Sequence, residues 1–121
     1  MTLIHSGIIG SVVLALGLAS SLAIADTALV YQDGTGGLST DVSSNLATHL
    51  TNAGYTTTNS SSLPTVTGFK QVWDVRYNNT TPLTLGDQST YLGYLQGGGT
   101  LFLMGENAGF ITRNNSIIQP I

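Results

Sequence analysis

The chain has 121 residues, with three Lys and Arg against six Asp and Glu, a formal net charge of −3 and no cysteine. Only 7% of its residues are charged, against about 25% in an average soluble domain, so solubility has to rest on hydroxyls and amides. So few cations leave no basic surface for nucleic acid or anionic membranes, and the missing thiols exclude cysteine nucleophiles, disulfides and Cys-based metal sites.

Met1–Ala25 has the layout of a secretory signal peptide. A short n-region ends at Ser6, an apolar stretch runs from Ile8 to Leu22, and Ala23-Ile24-Ala25 forms an A-x-A cleavage site before Asp26. Glycines and serines interrupt the apolar stretch, which falls short of the ~20 apolar residues of a spanning helix. The expected product is an exported protein, periplasmic, cell-surface or extracellular, with no membrane contact for the mature domain. Residues 26–121 then form a single α/β domain.

In chain order, Ala28–Tyr31 is a short apolar strand, followed by the loop Asp33-Gly34-Thr35-Gly36-Gly37. A helix is expected to start near Ser39 or Thr40, both good N-caps, with Asp41 in its first turn. Val42, Leu46, Leu50 and Ala53 recur at helical spacing and Gly54 fits the C′ position. Tyr55–Thr58 reads as a weaker strand near an edge. Phe69–Tyr77 is the next strand, its bulk supplied by Val72, Trp73 and Val75. Thr84 and Asp87 form a capping box for a second helix, whose buried stripe is expected at Tyr91, Leu92 and Leu95, and which ends at Gly97. Thr100–Met104 is apolar on both faces, as a central parallel strand is. After the turn Gly105-Glu106-Asn107-Ala108-Gly109, residues from Phe110 to Ile118 begin a third helix.

Strands alternating with helices predict a three-layer, mostly parallel flavodoxin-like sheet of about four strands with helices on its faces. A central strand needs a neighbour on both sides, and none follows Thr100–Met104. The expectation is therefore an N-terminal portion of a longer protein, its sheet incomplete. The turn after that strand has the outline of a nucleophile elbow, G-x-S-x-G, with asparagine at the reactive position.

Trp73-Asp74-Val75-Arg76, Leu83-Thr84 opening a helix, Tyr94-Leu95 before three glycines, and an apolar strand ending in Gly105-Glu106-Asn107 together resemble the class I glutamine amidotransferase-like superfamily. Within it the similarity is nearest to the ThuA-like branch, and it extends from about Thr27 to Ile118. The resemblance implies a flavodoxin-like sheet with a functional elbow after the central strand. Catalytic amidotransferases carry a cysteine there, which matches Asn107 in this chain, so the amidotransferase reaction does not carry over. ThuA-like members often place a histidine near this turn, and this sequence has none there.

Strand ends in open α/β sheets collect functional groups, and several candidates fall there. Glu106 can serve as a general acid/base or metal ligand with Asp33 and Asp74. Equally, it can accept backbone N–H bonds or pair with Arg76 or Arg113. Asp33 and Gly34 precede a helix N-terminus, a context for holding an anion, although a tight turn explains the glycines as well. Asp74 and Arg76 are two apart on a strand and face the same side; a structural ion pair is the preferred reading. Arg113, with Asn114 and Asn115, either lines the crevice or belongs to caps and surface. His49 is expected at the surface, and Trp73, Tyr91 and Tyr94 fit core packing.

Two functions compete. One is an exported non-catalytic binding or surface-structural module, for a small molecule or a glycan, using Asp33, Gly34, Asp74, Arg76, Asn107 and Arg113. The other is a hydrolase-like enzyme using Glu106 with Asp33 or Asp74, with or without a divalent metal. No cofactor and no dedicated metal site is expected.

Overall fold

The computed structural model describes residues 26–33, 37–77 and 79–118; the expected signal segment Met1–Ala25 and the candidate Gly34 lie outside them. Strand β1 (Thr27–Tyr31) pairs in parallel with β2 (Thr56–Ser60) on one side and with β3 (Gln71–Asp74) on the other. Strand β4 (Thr100–Leu103) pairs in parallel with β3, giving the order β2-β1-β3-β4. Helices α1 (Gly37–Asn52), α2 (Leu85–Gln96) and α3 (Ile111–Ile118) flank this sheet in the expected three-layer α/β arrangement.

β1 is the strand buried on both faces, with Ala28, Leu29 and Val30 fully inaccessible. Side chains alternate along a strand, so Leu29 joins Val72, Tyr91 and Tyr94 on the α2 side. Ala28 and Val30 join Leu50 and the half-buried Val42 and Leu46 on the α1 side. Each fully buried Leu or Val contributes about 1.5–3 kcal/mol. No helix separates β2 from β3. Instead Leu63, Val66 and Phe69, from the connecting loop, fill the α2-side cluster.

Local signals set the helix ends. Thr84 accepts from the Asp87 amide (3.0 Å) and the Asp87 carboxylate accepts from the Thr84 amide (3.3 Å), the reciprocal capping box expected of these residues. α1 ends in a Schellman turn: the Tyr55 amide donates to the Leu50 carbonyl, the Gly54 amide to the Thr51 carbonyl, and Gly54 sits at φ +94°. At Gly99 the reason for glycine is space, because a Cβ there would lie 2.2 Å from the Tyr94 ring.

Three expectations need correction. α1 begins at Gly37, before Ser39 and Thr40, so Asp41 is outside its first turn; glycine also opens helices well, and caps compete over a few residues. The buried residues of α2 are Tyr91 and Tyr94, while Leu92 and Leu95 are each 42% exposed. The cause is that β4 lies at the edge of the described sheet, with the neighbouring position open as the sequence led us to expect. Leu92 and Leu95 face the side on which no described element packs, and Phe102 of β4 is 46% exposed. The final helix also starts later, after a one-turn 3-10 helix at Ala108–Phe110.

Candidate functional site

Because all four strands run the same way, the segments after β1, β3 and β4 emerge at one end of the sheet. Asp74 is the centre of that end. It is fully buried and closes β3. Its Oδ1 accepts from Arg76 Nε at 2.9 Å and from Arg113 Nη2 at 3.3 Å. Its Oδ2 accepts from Arg76 Nη2 at 2.6 Å and from the Tyr91 hydroxyl at 3.0 Å. The Arg76 amide adds a bond to Oδ1 at 3.3 Å. Charge-assisted and bidentate contacts of this kind are the strong ones.

The cluster joins the sheet to the two helices on its α2 side. Arg76 follows β3 and lies over the Tyr31 ring, 4.6 Å from its centroid, at the end of β1. Its far side approaches Asp87 of α2 at 3.9 Å. Arg113, 1% exposed on α3, also donates to the Thr81 carbonyl at 3.2 Å. Burial pulls the Arg76 pKa down, but the hydrogen bond and charge of Asp74 outweigh it and hold the guanidinium above its ordinary value. Burial, reinforced by the Asp74 charge, holds the Tyr91 hydroxyl well above the usual tyrosine range. The arrangement is therefore locked as a neutral phenol beside a paired carboxylate.

The other strand-end candidates are held as well. Asp33, after β1, accepts from the Asn79 side-chain amide. The half-buried Glu106 is pinned through its backbone: its amide donates to Asn114 Oδ1 at 3.1 Å and its carbonyl accepts from Asn114 Nδ2 at 2.7 Å. Asn107 is the N-cap of the 3-10 helix, accepting from the Gly109 amide at 2.9 Å. Its φ of −69° and ψ of −178° are ordinary extended values. A nucleophile elbow holds its central residue in a strained turn, so this turn is a relaxed helix cap and not an elbow.

Asp74, Arg76 and Arg113 are thus brought into direct contact, whereas Asp33, Glu106 and Asn107 have local partners of their own. Tyr91 and Asn114 are the residues that sequence reasoning passed over in these roles. A hydroxyl on an otherwise apolar helix stripe was the signal for Tyr91, since buried tyrosines need a partner. For Asn114 the signal was an asparagine beside a turn with amides to satisfy. Among the described residues no group of three His, Cys, Asp or Glu side chains could hold a metal ion, and no described helix is long and apolar enough to cross a membrane. Compared with protein-family models, curated proteins and solved structures, the chain matches none.

Proposed function

We propose that this chain is an exported, non-catalytic α/β module, a relative of the class I glutamine amidotransferase-like proteins that binds a small molecule or glycan or serves structurally at a surface. The observation that carries this reading is the state of Asp74: a fully buried carboxylate accepting from two guanidinium groups and a phenol. A general base needs a free lone pair within reach of substrate, and here the two oxygens are committed to protein donors. Asn107 lends the same support, because the reactive position of the turn is occupied by a helix cap. Export rests on the signal-like layout of Met1–Ala25.

The test is a panel of chromogenic ester, phosphate and glycoside substrates, with and without Mg2+, Mn2+ and Zn2+, for wild type and Glu106→Gln. The expected result is the same background rate for both proteins. Turnover that falls in Glu106→Gln would replace this reading with the hydrolase-like one.

A further inference from the structure

The connection from β2 to β3 runs without a helix and leaves an open trough beside α2. Two cavities of about 430 and 580 Å3 make up this trough, and they share Thr67, Gly93 and Tyr94 in their walls. Both lie in the range of about 300–1,000 Å3 that ligand sites occupy. One wall is the connecting loop from Leu63 to Lys70; the other is α2 with the glycine turn that follows it. From Asp87 to Gly97 the trough follows about 15 Å of helix.

Its chemistry is that of neutral hydroxyls. Thr65 and Thr67 on the loop and Ser89 and Thr90 on α2 are exposed along it, and no described group bonds their hydroxyls. Each therefore offers a donor and an acceptor. Between them lie apolar surfaces from Leu63, Pro64 and the Tyr94 ring, whose hydroxyl is committed to the Phe69 carbonyl at 3.1 Å. The charged side chains Asp87 and Lys70 sit at opposite ends, and both have tasks. Asp87 caps α2 and approaches Arg76. Lys70 stands beside the carbonyl end of the same helix, where a cation is favoured. Gly93 keeps the trough wide: nothing lies within 4 Å of an added Cβ, so no contact requires glycine at a helix position that favours alanine.

From this lining we infer that the trough is a binding site for a neutral oligosaccharide. The inference gives the binding-module reading a site and a ligand class, and it rests on that reading. A sugar carries hydroxyls around its rim and C–H surfaces on its faces, which match hydroxyls on both walls with apolar strips between them. A charged ligand would lose hydration against a lining whose described cation and carboxylate lie only at its two ends. A purely apolar ligand would strip water from four hydroxyls and return nothing. An extended peptide needs a row of free backbone groups, and those of α2 are spent within the helix.

Amide NMR of the isotope-labelled chain tests it, with cellotetraose, maltotetraose, xylotetraose, mannotetraose and chitotetraose each titrated to about 5 mM, where ligands with millimolar dissociation constants are largely bound. At least one of these sugars is expected to shift the Thr67, Gly93 and Gly98 amides. Gly93→Leu, which stands a side chain in the trough, is expected to raise the dissociation constant about tenfold or more. Thr67→Val, which removes one hydroxyl at equal shape, is expected to raise it about threefold or more, the worth of a hydrogen bond. Ser44→Leu, on the exposed face of α1, is expected to bind as wild type does. Trough amides that stay silent toward every sugar overturn the proposal, as does a folded Gly93→Leu that binds with unchanged affinity. So does an alanine–serine hexapeptide that shifts these amides when no sugar does. Shifts confined to the strand-end amides of Asn79 or Asn107 overturn the trough assignment and leave the binding-module reading standing. Cleavage of a sugar that shifts the trough amides does the reverse: it ends the non-catalytic reading and keeps the site.

Discussion

Arg113 of α3 places its Nη2 3.3 Å from Oδ1 of Asp74, the residue that closes β3, and so ties together two elements separated by 39 positions in the chain. The contact is buried at both ends. Desolvating two ions is expensive, and such a pair stabilises only when its geometry and remaining hydrogen bonds are good. Asp74 meets that condition with five bonds, but Arg113 does so incompletely: its Nε is buried without a hydrogen-bond partner among the described residues.

That asymmetry makes Arg113 the replaceable member. In Arg113→Met, Asp74 keeps its bidentate partner Arg76, and an unsatisfied buried donor is removed. The expected loss is under about 2 kcal/mol in urea unfolding at pH 7, below the 3–5 kcal/mol typical of a broken buried pair. A loss of about 4 kcal/mol would mean that Arg113, and not Arg76, neutralises Asp74.

Tyr91 gives the cluster a pH signature. Burial, then the charge of Asp74, raise its hydroxyl above the ordinary value of 10.0. A pKa raised in the folded state means stability present in full below pH 10 and lost as pH rises from the unfolded value toward the folded one. At pH 7, Tyr91→Phe is expected to be about 1.5–3 kcal/mol less stable, the worth of a hydrogen bond to a charged acceptor. The gap should narrow above pH 10, because the variant no longer has this phenol to ionise on unfolding. Urea titrations between pH 7 and 11 check this, and a gap of constant size contradicts it.

Two glycines of the α2–β4 segment should respond oppositely to alanine. Gly93 is exposed inside α2 with nothing within 4 Å of an added Cβ, so Gly93→Ala is expected to stabilise by about 0.5–1 kcal/mol. At Gly99 the added Cβ meets the Tyr94 ring at 2.2 Å. Tyr94 is held by its hydroxyl on the Phe69 carbonyl at 3.1 Å, so Gly99→Ala should destabilise by about 1–3 kcal/mol, as overpacking does. Thermal melts of the two variants, moving in opposite directions from wild type, would bear this out.

Asn114 anchors the Glu106 turn to α3 with two hydrogen bonds, at 3.1 and 2.7 Å. Removing both in Asn114→Ala is expected to speed hydrogen exchange at the Glu106 amide by about tenfold, equivalent to roughly 1.4 kcal/mol of local opening. Unchanged exchange there would show the turn to be held by other contacts.

Elements whose cause is local were legible in the sequence. The short apolar run Ala28–Tyr31 announced a strand, and Thr84 with Asp87 announced the start of α2. The Asp74–Arg76 pair was read from a strand running through both residues, and it forms although β3 ends at Asp74. What stayed hidden depends on distant chain. Nothing in Thr-Arg-Asn-Asn distinguishes an arginine buried against β3 from one in water, so the role of Arg113 could not be read. Thr100–Met104 shows the same limit: side-chain character tells which faces of a strand are apolar, not how many strands lie beside it. The open position beside β4 was expected, but its effect on α2 was not: the buried stripe lies at Tyr91 and Tyr94, and Leu92 and Leu95 are left exposed.

The most direct test of Asp74 as a structural hub rather than a functional carboxylate is equilibrium urea unfolding of Asp74→Asn at pH 7. The substitution removes the counter-charge of Arg113 and leaves Arg76 only Asp87 at 3.9 Å, and the expected loss is at least about 3 kcal/mol, or failure to fold. Stability equal to wild type would contradict the account, because it would leave the Asp74 carboxylate with no structural task at the end of the sheet.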